Sequence, residues 1–195
     1  MKLKNQILLL VLTICIGSFS IKSQSLSEEN WRDTDPQTVT LYSRIKHKFD
    51  GYGKSAFSFK HGLRSDIGKE RTKNNYEISY GGISINGDSD WFKVTMVTDD
   101  CSRIKDLGEL NWSDIFDVPI LQASIEPHKG IRTPLKTETF EESSNGQITR
   151  VTAGHIYVVH SKDFDSDFYT LFRVDKLIPS DEVTISWKIV PSPEQ

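Results

Sequence analysis

"GHIYVVHSKDFDSDFYTLFRV", Gly154 to Val174, holds two histidines, three aspartates spaced by two, and two runs of β-branched and aromatic residues. It reads either as a metal or cofactor site or as two strands joined by a wet turn. His155 and His160 stand five positions apart. Side chains alternate at period two along a strand, so an odd separation sends the two imidazoles to opposite faces. The intervening Ile156 to Val159 offers no glycine for a bulge that would realign them. Asp163, Asp165 and Asp167 imitate the opening of a calcium loop and are the candidate metal ligands. A helix-loop-helix calcium loop wants glycine at its sixth position and glutamate at its twelfth. Those positions fall on Phe168 and Val174. The stretch therefore reads as a hairpin with its acids in solvent, and a weak cation site at the three aspartates is the competing reading.

The hairpin sets the grammar for its neighbours. "DEVTISWKIV", from Asp181, places Val183, Ile185, Trp187 and Ile189 on one face and Thr184, Ser186 and Lys188 on the other. With the two preceding strands it makes a three-stranded meander. Upstream, "TVTLYS" from Thr38, "SAFSFKHG" from Ser55, Tyr76 to Tyr80 and Phe92 to Met96 are strand-like. Gly81-Gly82 marks a bend, and Asn86-Gly87 supplies the positive φ of a tight hairpin. "KTETFEESSNGQITRV" reads as a further hairpin around Asn145-Gly146, and "VPILQASI" from Val118 as a strand. Ser102 to Phe116 is expected to hold one or two helical turns, capped at Ser102 or Ser113. No long segment carries apolar residues at the helical period. The fold class is all-β: an antiparallel sandwich or flattened barrel with the C-terminal meander and at most short helical turns.

The start, "MKLKNQILLLVLTICIGSFSIKSQS", has the charged n-region, short apolar run and small residues of a secretory signal. We read residues 1–23 as signal, 24–37 as a polar linker, 38–190 as one β domain and 191–195 as a tail. The apolar run is shorter than the ~20 residues that span a bilayer. Export to the periplasm, the cell surface or the medium follows. Lipidation at Cys15 is a second route, although the large Ile14 stands where that signal wants a small residue. Removing Lys2, Lys4 and Lys22 takes the formal charge from −3 to −6. An acidic chain without a basic run has no electrostatic reason to seek nucleic acid. Cys101 alone remains of the two cysteines, so the mature chain closes no internal disulfide.

Catalytic signatures are sparse. Asp99 and Asp100 beside Cys101 disfavour a thiolate, while Arg103 opposes them. Ser102 and Lys105 satisfy S-x-x-K without the companion motifs that give it meaning. G-x-S-x-G, H-E-x-x-H, the phosphate loop and C-x-x-C are absent from the sequence. The four tryptophans and six tyrosines read first as core, with a ligand platform as the alternative. Asn111-Trp112-Ser113 is a glycosylation sequon.

The order of features resembles that of the HmuY-like haem-binding proteins, exported or lipidated all-β proteins of bacteria. The carrying residues are Phe57-Ser-Phe59, Tyr76-Glu-Ile78, Ile83-Ser-Ile-Asn86, Tyr157-Val-Val159, Tyr169-Thr-Leu-Phe-Arg-Val174 and Val183 to Trp187. The resemblance implies an exported β fold. That family grips haem with paired histidines, which do not map onto His47, His61, His128, His155 or His160, so no ligand residue carries over. The reading is an exported, non-enzymatic β domain that binds a small molecule, a glycan or a protein, with the cofactor unknown. A haem- or metal-binding protein using surface histidines and a secreted hydrolase with dispersed carboxylates are the alternatives.

Overall fold

A computed structural model describes residues 31–49, 51–67, 76–97, 100–114, 117–122, 139, 146–163 and 166–193. Two antiparallel five-stranded sheets face each other without closing into a barrel, which selects the sandwich. The first sheet runs β1 (Gln37–Tyr42), β12 (Glu182–Val190), β11 (Ser166–Ile178), β10 (His155–Asp163) and β8 (Arg103–Glu109). The second runs β3 (Leu63–Arg64), β2 (Ala56–Ser58), β4 (Ile78–Tyr80), β5 (Trp91–Val94) and β9 (Ile148–Arg150). A small ribbon pairs β6 (Met96–Val97) with β7 (Asp100–Cys101). One helical turn, α1 (Arg44–His47), follows β1.

The meander forms as the alternation demands. Val183, Ile185 and Trp187 of β12 face inward opposite Leu177, Val174 and Phe172 of β11. Asp175 bulges out of that ladder, which restores the inward parity of Leu177. Asn86 and Gly87, at φ 53° and 84°, form the turn between β4 and β5. Phe172 lies at the centre of the inner core. It packs edge-on to Phe92 at 5.1 Å and against Phe59 at 5.8 Å from the facing sheet, and stacks on Tyr157 at 5.0 Å within its own. Burying such rings contributes about 1.5–3 kcal/mol each.

The first sheet is buried on both faces. Ile156, Val158, Tyr169, Leu171 and Val190 point away from the inner core and form a second cluster with Trp31. Leu107, Leu110, Trp112, Val118 and Leu121 pack against it. Trp31, within the stretch read as linker, is therefore an anchor. Lys188 fastens this cover: its ammonium donates to the carbonyls of Trp31, at 3.4 Å, and Arg32, at 3.1 Å, and lies 5.2 Å from the Trp112 ring. Burial pulls the Lys188 pKa down.

Two local expectations are corrected. Arg103–Glu109 is a strand along β10, so the helical turns placed after Ser102 do not form there. Ile104 feeds the inner core and Leu107 the outer cluster. Residues 118–122 carry no strand ladder. Leu121 instead exchanges backbone hydrogen bonds with the Tyr169 hydroxyl, at 3.1 and 3.2 Å. The hairpin around Asn145 has only its second arm, β9, within the described residues, and that arm pairs with β5.

Candidate functional site

The two histidines of β10 occupy opposite faces, as their separation requires. Odd positions Tyr157 and Val159 belong to the inner core, and even positions Ile156 and Val158 to the outer cluster. A bulge does interrupt the β10–β8 register between His155 and Tyr157, but its extra residue lies on β8, at Leu107–Gly108. It leaves the parity of β10 intact. His155 Nδ1 sits 2.9 Å from Asp106, whose other carboxylate oxygen, Oδ1, also accepts from the Gly108 N–H at 2.7 Å. His160 is buried and stacks on Tyr169 at 4.3 Å.

His160 spends both ring nitrogens. Nδ1 lies 2.6 Å from the Leu121 carbonyl and Nε2 lies 2.7 Å from Asp167 Oδ1. A carbonyl accepts and cannot donate. The Lys162 ammonium and His160 hold the Asp167 carboxyl below its usual range, so it too accepts. Both ring nitrogens are therefore engaged, one by each partner. The ring joins β10, β11 and the 117–122 segment, and both its nitrogens are spent on these contacts.

Of the three aspartates read as candidate metal ligands, Asp167 is engaged by Lys162 at 2.8 Å and by His160. Asp163 ends β10 opposite Ser166, and Asp165 lies outside the described residues. Among the described residues, no group of three or more histidine, cysteine or acidic side chains is placed to hold a metal ion. His61 is exposed, with its backbone N–H donating to Ser58 Oγ, and His128 lies outside the described residues. Cys101 pairs with Met96 in the β6–β7 ribbon. Ser102 and Lys105 flank the start of an extended strand, not one turn of helix, so their spacing does not juxtapose them.

Glu77 is a functional-looking group that the sequence reading passed over. It is 5% exposed, on the outer face of the second sheet beside β2. Its carboxylate accepts from the Phe59 N–H at 2.6 Å and from Ser58 Oγ at 3.3 Å. Burial outweighs these bonds and pushes its pKa up to about 7. Asp90 is a second buried acid. It accepts from the Tyr80 hydroxyl at 2.6 Å and from the Ser180 N–H at 2.7 Å, which ties the β11–β12 turn to the facing sheet. Burial and this carboxylate push the Tyr80 pKa well above the ordinary tyrosine range.

The loop from Tyr42 to Lys54 presents Ile45, Lys46, His47, Lys48 and Lys54 to solvent. Trp31, Trp91 and Trp187 and Tyr80 and Tyr157 are all buried, so the core reading of the aromatics holds for them. Tyr42, Phe49, Tyr52 and Tyr76 are half-buried at this end. His47 stacks on Phe49 at 5.4 Å with ring planes 8° apart and meets Tyr42 edge-on. Arg44 lies 4.5 Å over Tyr52 and Lys54 5.7 Å from Tyr42. The loop is pinned by Ser43 N–H to the Asp181 carbonyl at 2.7 Å, Ile45 N–H to Gly81 at 3.0 Å, and Lys46 and His47 to the Asp181 carboxylate.

The fold and its polar contacts define an antiparallel β-sandwich whose histidine–aspartate pairs fasten strands and loops. Comparison of the chain with protein-family models, with curated proteins and with solved structures finds no match. Among the described residues, no helix is long and apolar enough to cross a membrane.

Proposed function

We propose that the chain is an exported, non-enzymatic β-sandwich that binds a ligand or partner outside the cell through the Tyr42–Lys54 end. The observation that carries this reading is the contrast in how polar groups are used. His155, His160, Asp90 and Asp106 are held in contacts between strands and loops, whereas Ile45, Lys48 and Lys54 are exposed on a loop that Lys46 and His47 fasten to Asp181. A general base or nucleophile must be within reach of a substrate, and these imidazoles and carboxylates are committed to packing. The signal pattern of residues 1–23 supports export.

The test has two arms. The full chain is expressed in a bacterial host with its own leader, and the mass and N-terminus of the product are determined by fraction. The reading predicts a product shortened near residues 18–24 outside the cytoplasm, and a full-length cytoplasmic product overturns it. The mature protein is then incubated with immobilised glycans and peptides while the supernatant is followed by mass spectrometry. Retention without turnover agrees with the reading, and turnover abolished by an acid-to-amide change makes the protein a hydrolase.

A further inference from the structure

We infer that the Tyr42–Lys54 end of the sandwich is a binding surface for an acidic polysaccharide, a sugar chain bearing carboxylate or sulfate groups. The inference rests on the proposed extracellular binding role and names its ligand class. Charge is the first argument. The chain carries a net −3, yet residues 44–54 hold Arg44, Lys46, Lys48 and Lys54 against Asp50 alone. Lys46, Lys48 and Lys54 are exposed. The Asp181 carboxylate offsets only part of this charge, and it takes Lys46 and His47 together. A locally positive surface on an acidic protein selects an anion, and does so in a salt-dependent way.

Composition and rigidity narrow the class. Tyr42, His47, Phe49, Tyr52 and Tyr76 lie among the cations in two connected groups of rings. Aromatic rings offer flat apolar faces and edges with a polar tip, which suit the C–H faces of pyranose rings as well as their hydroxyls. Arg44 lies over the Tyr52 ring and Lys54 over the Tyr42 ring, so the positive charge is held close to the aromatic groups. The loop is fixed to Asp181 and Gly81 by backbone hydrogen bonds, and Lys48 adopts the left-handed conformation at φ 48° that ends α1. A surface held in this way loses little conformational freedom on binding.

The probes are a size-defined heparin oligosaccharide and an alginate oligosaccharide, with a neutral β-glucan oligosaccharide and phosphatidylglycerol vesicles as comparators. Binding to the mature protein is measured by calorimetry and by vesicle co-sedimentation. The inference predicts binding to at least one acidic oligosaccharide, weakened several-fold between about 50 and 200 mM salt. The Lys48→Ser, Lys54→Ser double variant is expected to bind about tenfold more weakly while keeping the parent's thermal unfolding curve. Lys93→Ser, on the second sheet, serves as a control and leaves binding unchanged. Four results overturn the inference: no acidic oligosaccharide binds, the neutral glucan binds equally well, the vesicles are preferred, or the double variant binds like the parent. Export and retention of another ligand would survive any of them, so failure here is separable from failure of the extracellular binding role.

Discussion

Replacing Glu77 with glutamine should change how stability depends on pH. The folded protein holds this carboxyl at about 7 against an ordinary 4.5, chiefly because burial penalises its charge. The folded state therefore keeps its proton where the unfolded chain releases one. The stabilisation is full below about pH 4.5, declines as pH rises towards 7, and is gone above it. At ~1.4 kcal/mol for each tenfold step in proton affinity, that interval amounts to on the order of 3 kcal/mol. Glutamine imitates the protonated acid and can still accept from the Phe59 N–H, yet it does not ionise. Glu77→Gln should match the parent to within about 1 kcal/mol near pH 4.5 and exceed it by about 2–3 kcal/mol near pH 8. Urea unfolding followed by tryptophan fluorescence across that range measures both proteins. Taking the difference cancels every other titrating group. A difference that stays constant from pH 4.5 to 8 would refute the reasoning.

Further outcomes test other contacts. Phe172→Ala removes the ring shared by both sheets and should cost about 3–5 kcal/mol in urea unfolding; a loss under 1 kcal/mol would place that ring outside the core. Gly81→Ala forces a Cβ at φ 61° to within 2.7 Å of Ser43 Cα, where backbone must move, so a loss of at least about 2 kcal/mol is expected from the same assay. His160→Ala removes the ring from the Leu121 carbonyl, leaving only the Tyr169 hydroxyl on it, and should make chymotrypsin cut at Leu121 faster at unchanged far-ultraviolet circular dichroism. Asp167 is held below the ordinary carboxylate range by Lys162 and His160. Its contribution is present above that range and is lost as pH falls below it, through the lower folded value, so Asp167→Asn should narrow the stability difference to the parent as the solution is acidified.

The C-terminal meander was legible because β12 alternates cleanly, and its register with β11 follows from which residues had to face inward. The Asn86-Gly87 turn was legible for the same local reason. Double burial of the first sheet was written in the unbroken apolar run Ile156 to Val159, a pattern of strands covered on both faces. Reading that run only as pairing surface left the outer cluster and the anchoring role of Trp31 unseen. The same fact explains the helical turns expected after Ser102. On a strand buried on both sides, Ile104 and Leu107 can both be apolar at a spacing of three, which mimics a helix. Val118 and Leu121 resembled a strand because they cover the outer cluster, but the Leu121 backbone is bonded by the side chains of Tyr169 and His160. Glu77 was hidden because a single acid beside a strand carries no pattern. Its role depends on Ser58 at the end of β2 and on Phe59 just beyond it, a pairing that sequence spacing does not specify. The Tyr42–Lys54 end was visible as residues, yet only the fold brings Tyr76 and Asp181 to it.

The two imidazoles of β10 serve opposite faces and separate partners, Asp106 for His155 and Asp167 with Leu121 for His160. A nitrogen-resolved nuclear magnetic resonance spectrum of the histidine-labelled protein, titrated with zinc and with haemin, tests this arrangement. His155 and His160 should respond independently, with no shared bound state and both Asp contacts retained. One saturating complex in which both rings move together at a single stoichiometric ligand would contradict it.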